Sequence, residues 1–228
     1  MLDVFAPLAT VYIVLAVLFF FAPETAPLRS GAWQSLRFRL AIPAPIRGDL
    51  WRSAPAILAG WATGGLFLSL GSTIVRTELG GVAHLWQGLA VTLLAGSGAL
   101  AAFTLRRLKP RATVLFGTAA LATGTALSLI ALGVTSLPFY LVAAAVTGTG
   151  FGTTFSGVIA SLAPRIPAAE RADTFAVIYV LAYLAFGIPA VAAGLLVGLV
   201  GLTAVTVGYG IAVIVFALVA LGLRLRRA

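Results

Sequence analysis

The chain has 228 residues, of which 61% are hydrophobic and only 9% charged, with a mean hydropathy of +1.11. No soluble globular domain of that size needs so much apolar surface, so this composition describes an integral membrane protein. Cysteine is absent, which excludes disulfides and thiolate metal sites, and the net charge of +9 calls for no nucleic acid, because basic runs beside apolar spans rest on anionic headgroups.

Seven apolar stretches are predicted to cross the bilayer, over residues 4–21, 55–74, 85–104, 113–132, 139–162, 175–199 and 203–223. Each supplies about the 20 residues that cover ~30 Å of hydrocarbon at 1.5 Å per residue. The first span (1–21) stands apart from the others. It is followed by the longest connection, 22–54, which carries Pro43, Pro45 and five arginines. Within it Trp33, Leu36 and Leu40 recur at helical spacing, as in a short interfacial helix, though an irregular linker fits equally. Residues 55–223 form a six-helix bundle and 224–228 a tail. Met1-Leu2-Asp3 has no basic n-region, so a cleaved signal peptide is not expected.

Threading the chain through these spans sorts its charges. Arg29, Arg37, Arg39, Arg47 and Arg52 share one side with Arg106, Arg107, Lys109 and Arg111, with Arg165 and Arg171, and with Arg224, Arg226 and Arg227. Of the 15 basic residues only Arg76 falls on the other side. By the positive-inside rule the arginine-rich side is cytoplasmic, so the N-terminus lies outside and the C-terminus inside. The strong preference for Arg over Lys, with heavy Ala and Gly use, suggests a GC-rich bacterial genome and hence a bacterial cytoplasmic membrane.

The last six spans divide into two triplets. Their leading members, spans 2 and 5, run in opposite directions and share a Thr-Gly-rich centre. Span 2 holds Trp61-Ala62-Thr63-Gly64-Gly65, Ser69 and Gly71; span 5 holds Thr147-Gly148-Thr149-Gly150-Phe151-Gly152-Thr153-Thr154-Phe155-Ser156-Gly157. That is the mark of two inverted three-helix repeats. The pairs Gly60/Gly64, Gly148/Gly152 and Gly194/Gly198 leave flat stripes for close helix approach. Gly187-Ile188-Pro189 predicts a kink in span 6, since Pro189 cannot donate to the carbonyl four residues back.

With these features placed, the chain resembles the C-terminal half of a major facilitator superfamily permease. Phe21-Ala22-Pro23-Glu24-Thr25 is similar to the Pro-Glu-Thr that often closes family helix six. The long arginine-bearing loop resembles the central loop joining the two six-helix halves, and the bundle would be family helices seven to twelve. The basic part of the family's helix eight–nine loop motif survives in Arg106-Arg107-Leu108-Lys109-Pro110-Arg111, without its Gly and Asp positions. The resemblance implies transport of a small molecule by alternating access. It also implies a partner, either an N-terminal half outside this chain or a second copy. Because family helices seven, eight, ten and eleven face the central cavity, it implies cavity candidates at Trp61, Thr63, Ser69, Gln87, Thr149, Thr153, Ser156, Tyr179 and Tyr183. Gly64, Gly148, Gly152, Gly187 and Pro189 would serve packing or hinging.

The residues also weigh against other functions. None of the six acids (Asp3, Glu24, Asp49, Glu78, Glu170, Asp173) lies mid-span, so no proton-relay carboxylate is evident. His84 alone makes no metal cluster, and no cofactor is called for. No span carries paired Asp, a Ser with a His, or a zinc motif, so an intramembrane enzyme is not expected. A retinal protein needs a lysine in a span, and the one lysine, Lys109, lies in a loop. A seven-helix receptor, a partner subunit or a remnant without transport stand as the alternatives.

Overall fold

A computed structural model describes residues 2–23 and 42–226. The interfacial-helix expectation around Trp33 and the Glu24-Thr25 closure lie outside those residues, as does Arg227. The described residues fall into two units, the N-terminal one containing α1 and the second containing everything from residue 42 onward.

Among the described residues all regular structure is helical. α1 is Leu2–Phe20, and its described apolar stretch, Phe5–Phe20, is shorter than the ~20 residues a bilayer crossing needs. The second unit comprises α2 (Ala44–Ser69), α3 (Gly71–Thr77), α4 (His84–Thr104), α5 (Pro110–Gly133), α6 (Leu137–Leu162), α7 (Arg171–Val200) and α8 (Leu202–Leu225). Among the described residues five helices are long and apolar enough to cross a membrane, and six if α2 and α3 count as one bent span. The chain is thus an all-α, membrane-embedded protein.

Two boundaries differ from the sequence reading. α2 starts at Ala44, well before the expected residue 55, with Pro45 in its first turn, where a missing N–H costs nothing. The same span also breaks: α2 and α3 meet at 48° across Leu70. Ser69 donates its hydroxyl to the Gly65 carbonyl one turn back, and Gly71 follows. A back-bonded serine next to a glycine is a recognised cause of helix bending. By contrast α7 continues as one helix through Gly187 and Pro189.

Turns close where backbone chemistry requires them. Gly201 joins α7 to α8 at φ 87°, ψ 159°, a region open essentially to glycine alone. Before α6, Ser136 accepts from the Phe139 N–H and Pro138 occupies the first turn.

α6 lies against α4 and α5, α8 against α2 and α5, and α7 against α2 and α8. Half of the apolar window is buried in α5 and α6, but only 17% in α4 and α7. The last two therefore form the flanks of the bundle. The glycines of α6 explain its central place. A methyl on Gly152 would meet the Gly98 backbone of α4, its Cα at 2.8 Å, and one on Gly148 would meet the Leu94 Cα at 2.8 Å. On the other side Gly124 of α5 receives Thr147, whose Cα would lie 2.7 Å from an added methyl, and Gly117 receives Thr154. The stripe expectation thus describes Gly148/Gly152, whereas methyls on Gly194 and Gly198 would meet nothing within 4 Å. Gly60 has only the Thr154 methyl, at 3.9 Å, and Gly64 makes room for a ring.

Candidate functional site

Hydroxyls inside an apolar bundle must find acceptors, and most find them in their own helix. Thr63 donates to the Ala59 carbonyl (2.7 Å), Thr147 to Ala143 (2.7 Å), Thr149 to Val146 (2.8 Å) and Thr153 to Thr149 (2.6 Å). Ser156, though exposed, donates to Gly152 at 2.8 Å. Ser97 of α4 reaches across instead, donating to the Ala145 carbonyl of α6 at 2.7 Å. The Thr-Gly-rich centre of α6 is therefore first of all a packing surface, with its hydroxyls spent on backbone carbonyls.

Within α6 Thr154 is the exception; elsewhere in the bundle the Thr125, Thr174 and Tyr209 hydroxyls are also buried without a partner among the described residues. Thr154 is fully buried, and its hydroxyl has no hydrogen-bond partner among the described residues. Such a group costs ~1–3 kcal/mol. Thr154→Val should accordingly raise stability by about 1 kcal/mol. Thr147→Val, which removes a made bond, should lower it by ~0.6–1 kcal/mol. Thermal unfolding of the two variants in detergent gives the comparison, and equal signs would reject this account of Thr154.

The candidates that do converge are aromatic. Trp61 of α2 sits edge-on to Phe155 (centroids 5.3 Å apart) and Phe151 (6.4 Å) of α6 and leans on Tyr183 of α7 at 5.5 Å. Tyr179 closes the set, 6.1 Å from Phe155 and 6.4 Å from Tyr183. Five rings from three helices thus make one wall. Its backing is half-buried Trp61, and its outer surface is Tyr179 and Tyr183, 44% and 63% exposed. Gly64 allows it: a methyl there would lie 3.2 Å from the Phe151 ring. The Trp61 indole N–H is buried without an acceptor among the described residues.

The remaining candidates lie elsewhere. Ser69 is at the α2–α3 break, and half-buried Gln87 reaches back to the Val82 carbonyl at 3.4 Å, in the first turn of α4. Gly187 borders open space and Pro189 lies inside α7. Phe151 and Phe155, interleaved with the glycines of α6, belong to the wall although neither carries a polar group; their i, i+4 spacing is the signal of them that the sequence holds.

The five rings are two tyrosines, two phenylalanines and a tryptophan, so the wall carries phenol and indole donors but no carboxylate, imidazole or amine of its own. Ring faces attract flat apolar molecules and, through their quadrupoles, cations, at ~0.5–2 kcal/mol per ring. No set of three or more His, Cys, Asp or Glu side chains converges among the described residues. Comparison with protein-family models, with curated proteins and with solved structures gave no match.

Proposed function

We propose that this chain is one half of a secondary transporter of the major facilitator type, and that the aromatic wall lines one side of its substrate path. On this reading α1 is family helix six, α2 with α3 forms family helix seven, and α4 to α8 are helices eight to twelve. The Arg106 side is cytoplasmic and the membrane is the bacterial plasma membrane. The observation that carries the reading is the five-ring wall. It is built from α2, α6 and α7, three of the four helices that would face the centre, and it presents tyrosines outward where no helix of this bundle covers them. The leaders of the two triplets, α2 and α6, meet in it through Trp61, as inverted repeats packed about a midplane site would. The sparsely buried α4 packs against α6 beside it, and an N-terminal half or a second copy would complete the path.

Such a wall suits a flat organic molecule, uncharged or singly cationic. The unpartnered Trp61 N–H offers a donor to a ligand oxygen once the rings part. A thermal-shift panel of sugars, planar drugs and small metabolites against the purified chain tests this. A ligand that raises the melting temperature should lose its effect in Trp61→Ala and keep it in Leu195→Ala, since Leu195 is exposed on α7 away from the wall. If that ligand then moves across vesicles holding the chain with an N-terminal half or with itself, transport is established. Binding without movement in either pairing supports the receptor or subunit alternative, and no ligand at all removes the substrate-path reading.

A further inference from the structure

At the arginine-rich end of the bundle a cavity of about 290 Å³ opens between α2, α5, α6 and α8. That is near the lower end of the range for small-ligand pockets. Its charged lining comes from four separate places in the chain: Asp49 and Arg52 in α2, Arg111 in α5, Arg165 just after α6, and Arg224 at the end of α8. Among the described residues of this lining, four guanidiniums stand with one carboxylate, so positive charge predominates.

The arrangement is constructed. Asp49 accepts from Arg165 and lies 3.7 Å from Arg52, so a single carboxylate holds two of the arginines. Arg111 donates to the Arg224 carbonyl at 3.0 Å, and Arg224 donates to the buried Ser53 hydroxyl at 3.0 Å. Topology charges that merely rest on headgroups have no reason to converge. Arg106 and Arg107, at the same end, are exposed outside the cavity, with Arg106 stacked 4.2 Å above its neighbour Phe103. The planar fork of a guanidinium matches two oxygens of a phosphate group, and several forks on one tetrahedral anion give geometry that a single carboxylate cannot satisfy. The depth also fits. Trp51, beside Arg52, is 65% exposed, as an aromatic at headgroup level would be, and Leu223 borders the cavity from the apolar side.

We propose that this four-arginine pocket binds a phosphate group, either the headgroup diester of an anionic phospholipid or a soluble phosphate. Asp49 holds Arg52 and Arg165 together and gives way to the anion. The site stands independently of the transport reading.

The test uses the full chain in neutral detergent and in phosphatidylcholine nanodiscs, with two probes: inorganic phosphate, read by thermal shift, and phosphatidylglycerol, read by retention in native mass spectrometry. Arg165→Gln and Arg224→Gln should each weaken binding about tenfold or more. Arg106→Gln and Arg107→Gln, with the same loss of charge outside the cavity, should leave it unchanged. Asp49→Asn should bind more tightly, a direction that a purely structural salt bridge would not produce. Response to phosphatidylglycerol alone identifies the lipid headgroup, and response to both probes identifies soluble phosphate as a ligand. Binding of neither probe, or equal loss in cavity and control variants, overturns the proposal. Should Arg224→Gln not fold, Arg165→Gln, whose side chain is 62% exposed, carries the comparison.

Discussion

Gly152→Val should leave the bundle largely unfolded or unrecoverable from the membrane, while Gly194→Val leaves it intact. Both glycines sit inside long apolar helices, and both belong to four-residue spacings that look alike in the sequence. At Gly152 an added carbon meets backbone atoms of α4, the Gly98 carbonyl carbon at 2.5 Å and its Cα at 2.8 Å. Backbone cannot rotate aside as a long side chain can, so the helices must separate. Ordinary overpacking costs ~1–3 kcal/mol, and here the separation would also open the Ser97–Ala145 bond and the seat of Gly148 on Leu94. The total should exceed that range and take up much of a stability that is typically ~5–15 kcal/mol. Gly194 borders open space, so valine there should change stability by no more than ~0.5 kcal/mol. Size-exclusion profiles after stepwise heating in detergent measure both. A Gly152→Val variant that melts with the parent would show that α4 and α6 do not approach as described.

The second large effect concerns whether the aromatic wall faces water or lipid. Tyr183 and Ile188 on α7 are each 63% exposed, so exposure alone does not separate a cavity face from a lipid face. The chain has no cysteine, and a single introduced thiol therefore reports without background. A thiol reacts as thiolate, which forms in water and not in hydrocarbon, and a charged reagent stays out of lipid as well. Tyr183→Cys and Ser156→Cys should react with a charged methanethiosulfonate in intact membranes about tenfold or more faster than Ile188→Cys or Leu100→Cys. Equal and slow labelling at all four positions would put Tyr179 and Tyr183 against lipid and leave no substrate path at the wall.

The long helices α4 to α8 were found with small boundary shifts, because a run of about 20 apolar residues leaves a chain in lipid no other way to satisfy its backbone. The break at Leu70 is not legible in the same way: in sequence Ser69 and Gly71 are a polar and a small residue of one span, and a bend depends on where the hydroxyl turns. The Gly194/Gly198 stripe was read like Gly148/Gly152, yet only the latter has a helix against it.

The site divides in the same way. The resemblance implies Trp61, Tyr179 and Tyr183 one by one, through the helices that carry them, and the structure brings them together with Phe151 and Phe155. In sequence the basic residues signal orientation alone, and the structure sets four of them around one cavity.

Composition and run length alone therefore determined that this is a helical membrane protein and roughly where its long helices lie, since the cost of exposing backbone to lipid acts within each segment. Tertiary structure alone decided which helix face is covered. In a span that is apolar all round, lipid-facing and protein-facing residues have the same chemistry, so no periodicity distinguishes them. What distinguishes Gly152 from Gly194, or Arg165 from Arg106, is a neighbour supplied by a distant part of the chain.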